Sequence, residues 1–174
     1  VGMLADAMAV LWTVAIDEEM QKTVAASGGM EFVIQTMRKC PKNLPIQQHA
    51  FALMSRTSAL ATELIRDLGA LPLVMYGMQR FPEDAWLQEE ACKTVANMAR
   101  DPVCCETLGT LGGLSLVLFA MRSFPIRDRH EPANGGRPEL HGVQGASCAA
   151  LKTVLRCVGG QLPEASDGVM DAVI

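Results

Sequence analysis

The stretch Gly69–Pro82, GALPLVMYGMQRFP, decides how the chain is read. After the glycine, Leu71, Val74, Met75 and Met78 fall at i, i+3, i+4 and i+7, the stripe of one buried helix face. Phe81-Pro82 ends that helix, because proline offers no N–H and disfavours helical backbone in the residue before it. A short polar turn leads to Gln88 and to a second apolar, Ala-rich helix through Ala91, Val95 and Met98.

The same arrangement opens at Gly28, Gly112 and Gly168. Two positions after each glycine stand Met30, Leu71, Leu114 and Met170, and five positions after it stand Val33, Val74, Val117 and Val173. Ile34, Met75, Leu118 and Ile174 come next, and Met37, Met78 and Met121 close the stripe. Three residues further on, Cys40-Pro41, Phe81-Pro82 and Phe124-Pro125 stop the helix. Gln47, Gln88 and Gln144 then precede a small residue by three: Ala50, Ala91 and Ser147. The glycines are spaced by 41, 43 and 56 residues, and the last interval holds an extra 13 between Pro125 and Gln144. The period is therefore near 42, with one insertion. A third, short helical segment precedes each glycine, over 18–26, 62–68 and 103–108. Each glycine is expected at positive φ, where it closes one helix and lets the chain turn sharply into the next.

A period of roughly 40–47 residues with two or three helices per unit is the mark of HEAT and armadillo arrays, and three helices favour the second. From Gly69-Ala-Leu-Pro-Leu-Val through Gln88-Glu-Glu-Ala-Cys-Lys-Thr-Val-Ala-Asn97-Met-Ala, the sequence resembles the armadillo-repeat family. The resemblance covers essentially the whole chain and weakens after Gly159. It implies an all-α fold, a right-handed superhelical solenoid of armadillo repeats with three helices per repeat. The expected units are a partial repeat at 1–27, repeats at 28–68 and 69–111, a repeat at 112–167 carrying an inserted loop at 126–143, and a truncated start of another at 168–174. On this division neither end is a polar cap, so the chain reads as a piece of a longer protein whose ends would self-associate.

Composition narrows the function. The chain has 174 residues, 49% hydrophobic, with 15 basic against 19 acidic residues and a net charge of −4, which argues against general nucleic-acid binding. The apolar stretch from Met3 to Ile16 contains Asp6 and is shorter than the roughly 20 residues a membrane span needs. Six cysteines with no C-x-x-C spacing read as reduced, mostly buried thiols of a cytoplasmic protein. Cys104, Cys105 and three histidines are the candidates for nucleophile and base, and no phosphate loop, G-x-S-x-G or H-E-x-x-H motif is present. No enzyme activity, cofactor or metal is expected. The insertion, IRDRHEPANGGRPELHGV over 126–143, reads as a solvated loop, and His130 and His141 on it lack a fixed partner for a metal.

The family resemblance implies that the third helices line a concave groove holding an extended segment. In the repeat register Thr13, Arg56, Asn97 and Thr153 are equivalent, with Ala9, Ala52, Lys93 and Ala149 one turn earlier and Asp6, His49, Glu90 and Ala146 a turn before that. Arg100 and Arg156 follow one turn later. The expected groove residues are thus His49, Arg56, Glu90, Lys93, Asn97, Arg100, Thr153 and Arg156. Asn97 matches the asparagine with which armadillo repeats hold a bound backbone, since an amide donates and accepts at once. The excess of Arg and Lys over acidic groups points to an acidic or neutral extended segment of a protein or peptide. The expected function is a non-catalytic interaction scaffold. The alternatives are a nuclear-transport adaptor, opposed by Lys93 where that branch places tryptophan and by Trp12 and Trp86 lying out of register, or a structural spacer.

Overall fold

A computed structural model describes residues 2–125 and 139–157. Among the described residues the chain is all-helical, with ten helices and no strand. They run α1 (Gly2–Val14), α2 (Glu18–Ala26), α3 (Gly29–Lys39), α4 (Leu44–Thr57), α5 (Thr62–Asp67), α6 (Ala70–Arg80), α7 (Ala85–Met98), α8 (Pro102–Thr110), α9 (Gly113–Ser123) and α10 (Glu139–Cys157). The order short, medium, long recurs three times after α1. Helix α10 begins at Glu139, so the last five residues of the expected loop at 126–143 are helical instead. The rest of that insertion, and the glycine pattern at Gly168, lie outside the described residues.

Local chemistry sets the boundaries in the same way in each copy. Gly28, Gly69 and Gly112 have φ of 81°, 70° and 69°, and every non-glycine described residue stays at negative φ. Each glycine thereby turns a short helix into a medium one without the steric cost a Cβ imposes there. At the other end of the medium helix, Cys40, Phe81 and Phe124 leave the helical region with ψ of 53°, 57° and 64°. Proline disfavours the helical region in its predecessor, so the helix stops there. Asn43 and Asp84 then accept from the backbone N–H of Ile46 and Leu87 and start the long helices. Asp17 and Asp101 start α2 and α8 by the same device.

The turn between medium and long helix is locked by a buried glutamine. The Gln88 Nε2 amide donates to the carbonyls of Met78 and Phe81 at 2.8 and 3.0 Å. Gln47 does the same to Met37 and Cys40, and Gln144 to Met121 and Phe124. The last carbonyls of α3, α6 and α9 have no partner within their own helix, and this amide supplies one. The recurrence of Gln before a small residue thus has a cause: the small residue lets the long helix approach, and the glutamine ties it to the helix before.

The core follows the repeat. Met30, Val33, Ile34 and Met37 of α3 are buried, as are Leu71, Val74, Met75 and Met78 of α6, whereas in α9 Leu114 and Val117 are buried and Leu118 and Met121 only half so. The medium helices α3, α6 and α9 pack on the long helices α4, α7 and α10 respectively, and α3 meets α6 as α6 meets α9. The long helices pack in succession, α1 on α4, α4 on α7 and α7 on α10. In α4 the face turned to its own short and medium helices includes Ile46 and Leu53, both fully buried; the equivalent Met3 and Val10 of α1 are 86% and 60% exposed.

Candidate functional site

The residues named for the groove all lie on the succession of long helices, and the structure gives most of them partners inside the protein. Arg56, on the last turn of α4, donates through Nη1 to the carbonyls of Trp12 and Ala15 at 3.0 and 3.4 Å. Its guanidinium also sits 4.9 Å from the centre of the Trp12 ring, a cation–π contact. Asn97, at the same register position of α7, donates through Nδ2 to the Ser55 carbonyl at 3.1 Å and the Ser58 hydroxyl at 3.0 Å. Ser55 and Ser58 in α4 are the counterparts of Trp12 and Ala15. Two chemically different side chains therefore serve the same end, closing the carbonyl terminus of the preceding long helix.

This revises two expectations. Arg56 is committed to α1 and does not project as a free anchor. Asn97 has spent its donors on α4, so what it offers a ligand is its carbonyl oxygen, an acceptor for a main-chain N–H. The Thr153 hydroxyl is spent on its own helix, donating to the Ala149 carbonyl one turn back, and Thr13 does likewise to Ala9.

Charge along α7 is paired. Lys93 Nζ lies 2.6 Å from Glu89 Oε1 and 2.8 Å from Glu90 Oε1. Burial pulls the Lys93 pKa down, but the hydrogen bonds the ammonium donates to Glu89 and Glu90 outweigh it and the pKa is raised. Glu90 also accepts from the Ser55 hydroxyl of α4. The middle of the surface is therefore close to neutral rather than basic. Arg100 and Arg156 differ: both are exposed, and neither forms an ion pair among the described residues. They stand just beyond α7 and near the end of α10, helices that pack side by side.

Trp12 and Trp86, which are out of register in the sequence, meet in space. Their ring centres are 5.8 Å apart in an edge-to-face arrangement, and His49 of α4 contacts both, at 6.1 Å from Trp12 and 6.0 Å from Trp86. Three successive long helices each contribute one ring. His49 Nδ1 is shielded from water and has no hydrogen-bond partner, and burial lowers the His49 pKa. Comparing equivalent positions only, as the repeat register invites, misses this cluster. Trp12 lies six positions after the counterpart of His49 in α1, and Trp86 four before its counterpart in α7. Long rings cross that difference because side chains lean along their helices.

Of the thiols considered as nucleophiles, Cys104 is held protonated. Cys104 and Cys105 are buried, and burial together with the adjacent Asp101 carboxylate pushes the Cys104 thiol up to about 12. Burial pushes Cys92 up to about 11. Asp101 is itself drawn down, first by the Cys104 N–H it accepts from and then by Arg66 at 3.1 Å. No group of three His, Cys, Asp or Glu is placed to hold a metal among the described residues. No single helix there is long and apolar enough to cross a membrane.

The raised thiols carry a pH dependence. Up to about pH 9, the ordinary thiol value, folded and unfolded chains both keep the protons and stability is flat. Between about 9 and 11 the unfolded chain loses the Cys92 proton while the folded chain retains it. Stability should then fall by about 1.4 kcal/mol per pH unit for that thiol. Urea midpoints taken at pH 8, 9 and 10 should drop less steeply in Cys92→Ala than in the parent; parallel slopes would remove Cys92 as the cause.

No protein-family model and no curated protein matches the sequence. Among solved structures, the chain is similar to an engineered protein whose crystal structure comes from the Northeast Structural Genomics Consortium, with a TM-score of 0.64 and 17% identity. The match covers 88% of this chain and 56% of that one, so the chain spans little more than half of that protein's length. At this identity the likeness extends to the helical fold alone.

Proposed function

We propose that the chain is an armadillo-type solenoid serving as a non-catalytic scaffold, and that it holds an extended segment of a protein partner across its long helices. The observation that carries this reading is the succession α1, α4, α7, α10, joined at equivalent positions by Arg56 and Asn97. Side chains that close α1 onto α4 and α4 onto α7 keep those backbones in fixed relation, which is what a surface needs if a partner's main chain is to lie across it. The rings of Trp12, His49 and Trp86 at one end and the exposed Arg100 and Arg156 at the other give that surface the residue types that dominate interfaces. The burial that holds the Cys92 and Cys104 thiols protonated favours a binding role over thiol chemistry among the described residues.

The test is a random 12-residue peptide library selected against the protein. Ala149, exposed on α10 at the groove register, is replaced by Trp to block the surface, and Gln79, exposed on α6, is replaced likewise as the control. Selected peptides should lose at least tenfold in affinity for Ala149→Trp and bind Gln79→Trp unchanged. Equal loss, or failure to select any binder, points to the structural spacer instead.

A further inference from the structure

The proposed groove is polarised along α7. Trp86 sits on its first turn, in contact with Trp12 and His49, and Arg100 follows its last turn. Fourteen residues separate the two, about 21 Å at 1.5 Å per residue. An extended chain covers that distance in about six residues. Between the ends, the face carries Lys93 held by both Glu89 and Glu90, and Asn97 with its donors committed to α4. The middle thus has no free cation to offer a carboxylate, but it has an amide oxygen able to accept one main-chain N–H. At the far end Arg100 stands beside Arg156 of the neighbouring helix, both exposed, both without a carboxylate.

Resting on the scaffold reading above, we infer that the groove selects an extended peptide with a large apolar side chain at one end and a pair of acidic residues about six positions away. The apolar side chain packs on the Trp12–His49–Trp86 rings, and the carboxylates take Arg100 and Arg156 as forked donors. The apolar requirement comes from the ring cluster: two half-buried indoles and an imidazole that burial keeps neutral lie together, with the Arg56 guanidinium over Trp12 occupied by backbone carbonyls. The acidic requirement comes from charge complementarity at the end where two exposed cations have no ion pair among the described residues, whereas Arg56 at the ring end is occupied by the Trp12 and Ala15 carbonyls.

Trp12 and Trp86 are the chain's two tryptophans, so its intrinsic fluorescence reads this site directly. The probes are three otherwise identical 12-residue peptides: one with Leu and, six positions on, Glu-Glu; one with Lys-Lys in place of Glu-Glu; and one with Ser in place of Leu. The first should shift tryptophan emission and bind at least tenfold more tightly than either of the others. In the double variant Arg100→Glu with Arg156→Glu, whose side chains are exposed and form no ion pair among the described residues, the preference should reverse towards the Lys-Lys peptide. Its helical circular dichroism should match the parent's. Tighter binding of the Lys-Lys peptide to the parent, or indifference to the Leu, overturns this selectivity while leaving the groove in place. If no peptide shifts the emission and the library selection also yields none, the groove reading falls with it.

Discussion

Replacing Gln88 by Leu is expected to lower the unfolding free energy by about 2 kcal/mol, although the two side chains are similar in size and the site is apolar on most sides. Gln88 is 1% exposed, and its amide is the partner of both the Met78 and the Phe81 carbonyls. Leucine gains a little from burial but leaves the Met78 carbonyl without a donor, at a cost of roughly 1–3 kcal/mol, and leaves the Phe81 carbonyl with only its bond from the Asp84 N–H. The loss should appear in urea as a lower midpoint at unchanged m-value, since the surface exposed on unfolding hardly changes. Gln47→Leu should cost a similar amount, because Gln47 is 2% exposed and bonds the equivalent pair of carbonyls. A cost below about 1 kcal/mol for both would mean that water takes over the two carbonyls and that the clamp is dispensable.

Most of the helical organisation was legible because the signals that mark boundaries act locally. The short segment expected over 18–26 is α2 to the residue, and those expected over 62–68 and 103–108 differ from α5 and α8 by one or two residues at an end. Gly28, Gly69 and Gly112 adopt the expected positive φ, and the residue before each recurring proline leaves the helix as expected. The beginning of α10 was misjudged for a physical reason. Glu139 to Val143 contains polar residues and a glycine, which read as loop by composition, yet the segment continues a helix whose next turns are buried against α7. Tertiary packing set the boundary there and local propensity did not.

The candidate site was less legible, because charge at a surface depends on which neighbours it meets. Counting Arg56 and Lys93 as free cations makes the groove basic. In the structure the first is folded back on the carbonyls of Trp12 and Ala15, and the second lies between two carboxylates of its own helix. The Glu89–Lys93 contact has the i,i+4 spacing that sequence reading can find. The reach of Arg56 across 44 residues has no such spacing. The same holds for the three-ring cluster, whose members come from different levels of three helices.

Substituting Gly77 by Ala tests whether the packing between α4 and α6 is as tight as the structure shows, and it should destabilise by about 2 kcal/mol. The expectation runs against the usual sign. In the interior of a helix Ala is favoured over Gly by about 1 kcal/mol, since it restricts the unfolded backbone. Gly77 is helical and buried, but a Cβ there would come within 2.6 Å of Cζ and 2.7 Å of Cε2 of Phe51. Phe51 is fully buried, so the ring has no open space to move into. The other copies carry Thr36 and Ala120 at this position, which shows that a Cβ is compatible with the backbone and that the obstacle is the ring. Phe51→Leu alone should cost about 1–2 kcal/mol through the lost volume. In the Gly77→Ala background that cost should vanish or change sign, giving a coupling of at least about 1 kcal/mol between the two sites. Additive costs in the double-mutant cycle would place the strain of Gly77→Ala elsewhere than on the Phe51 ring.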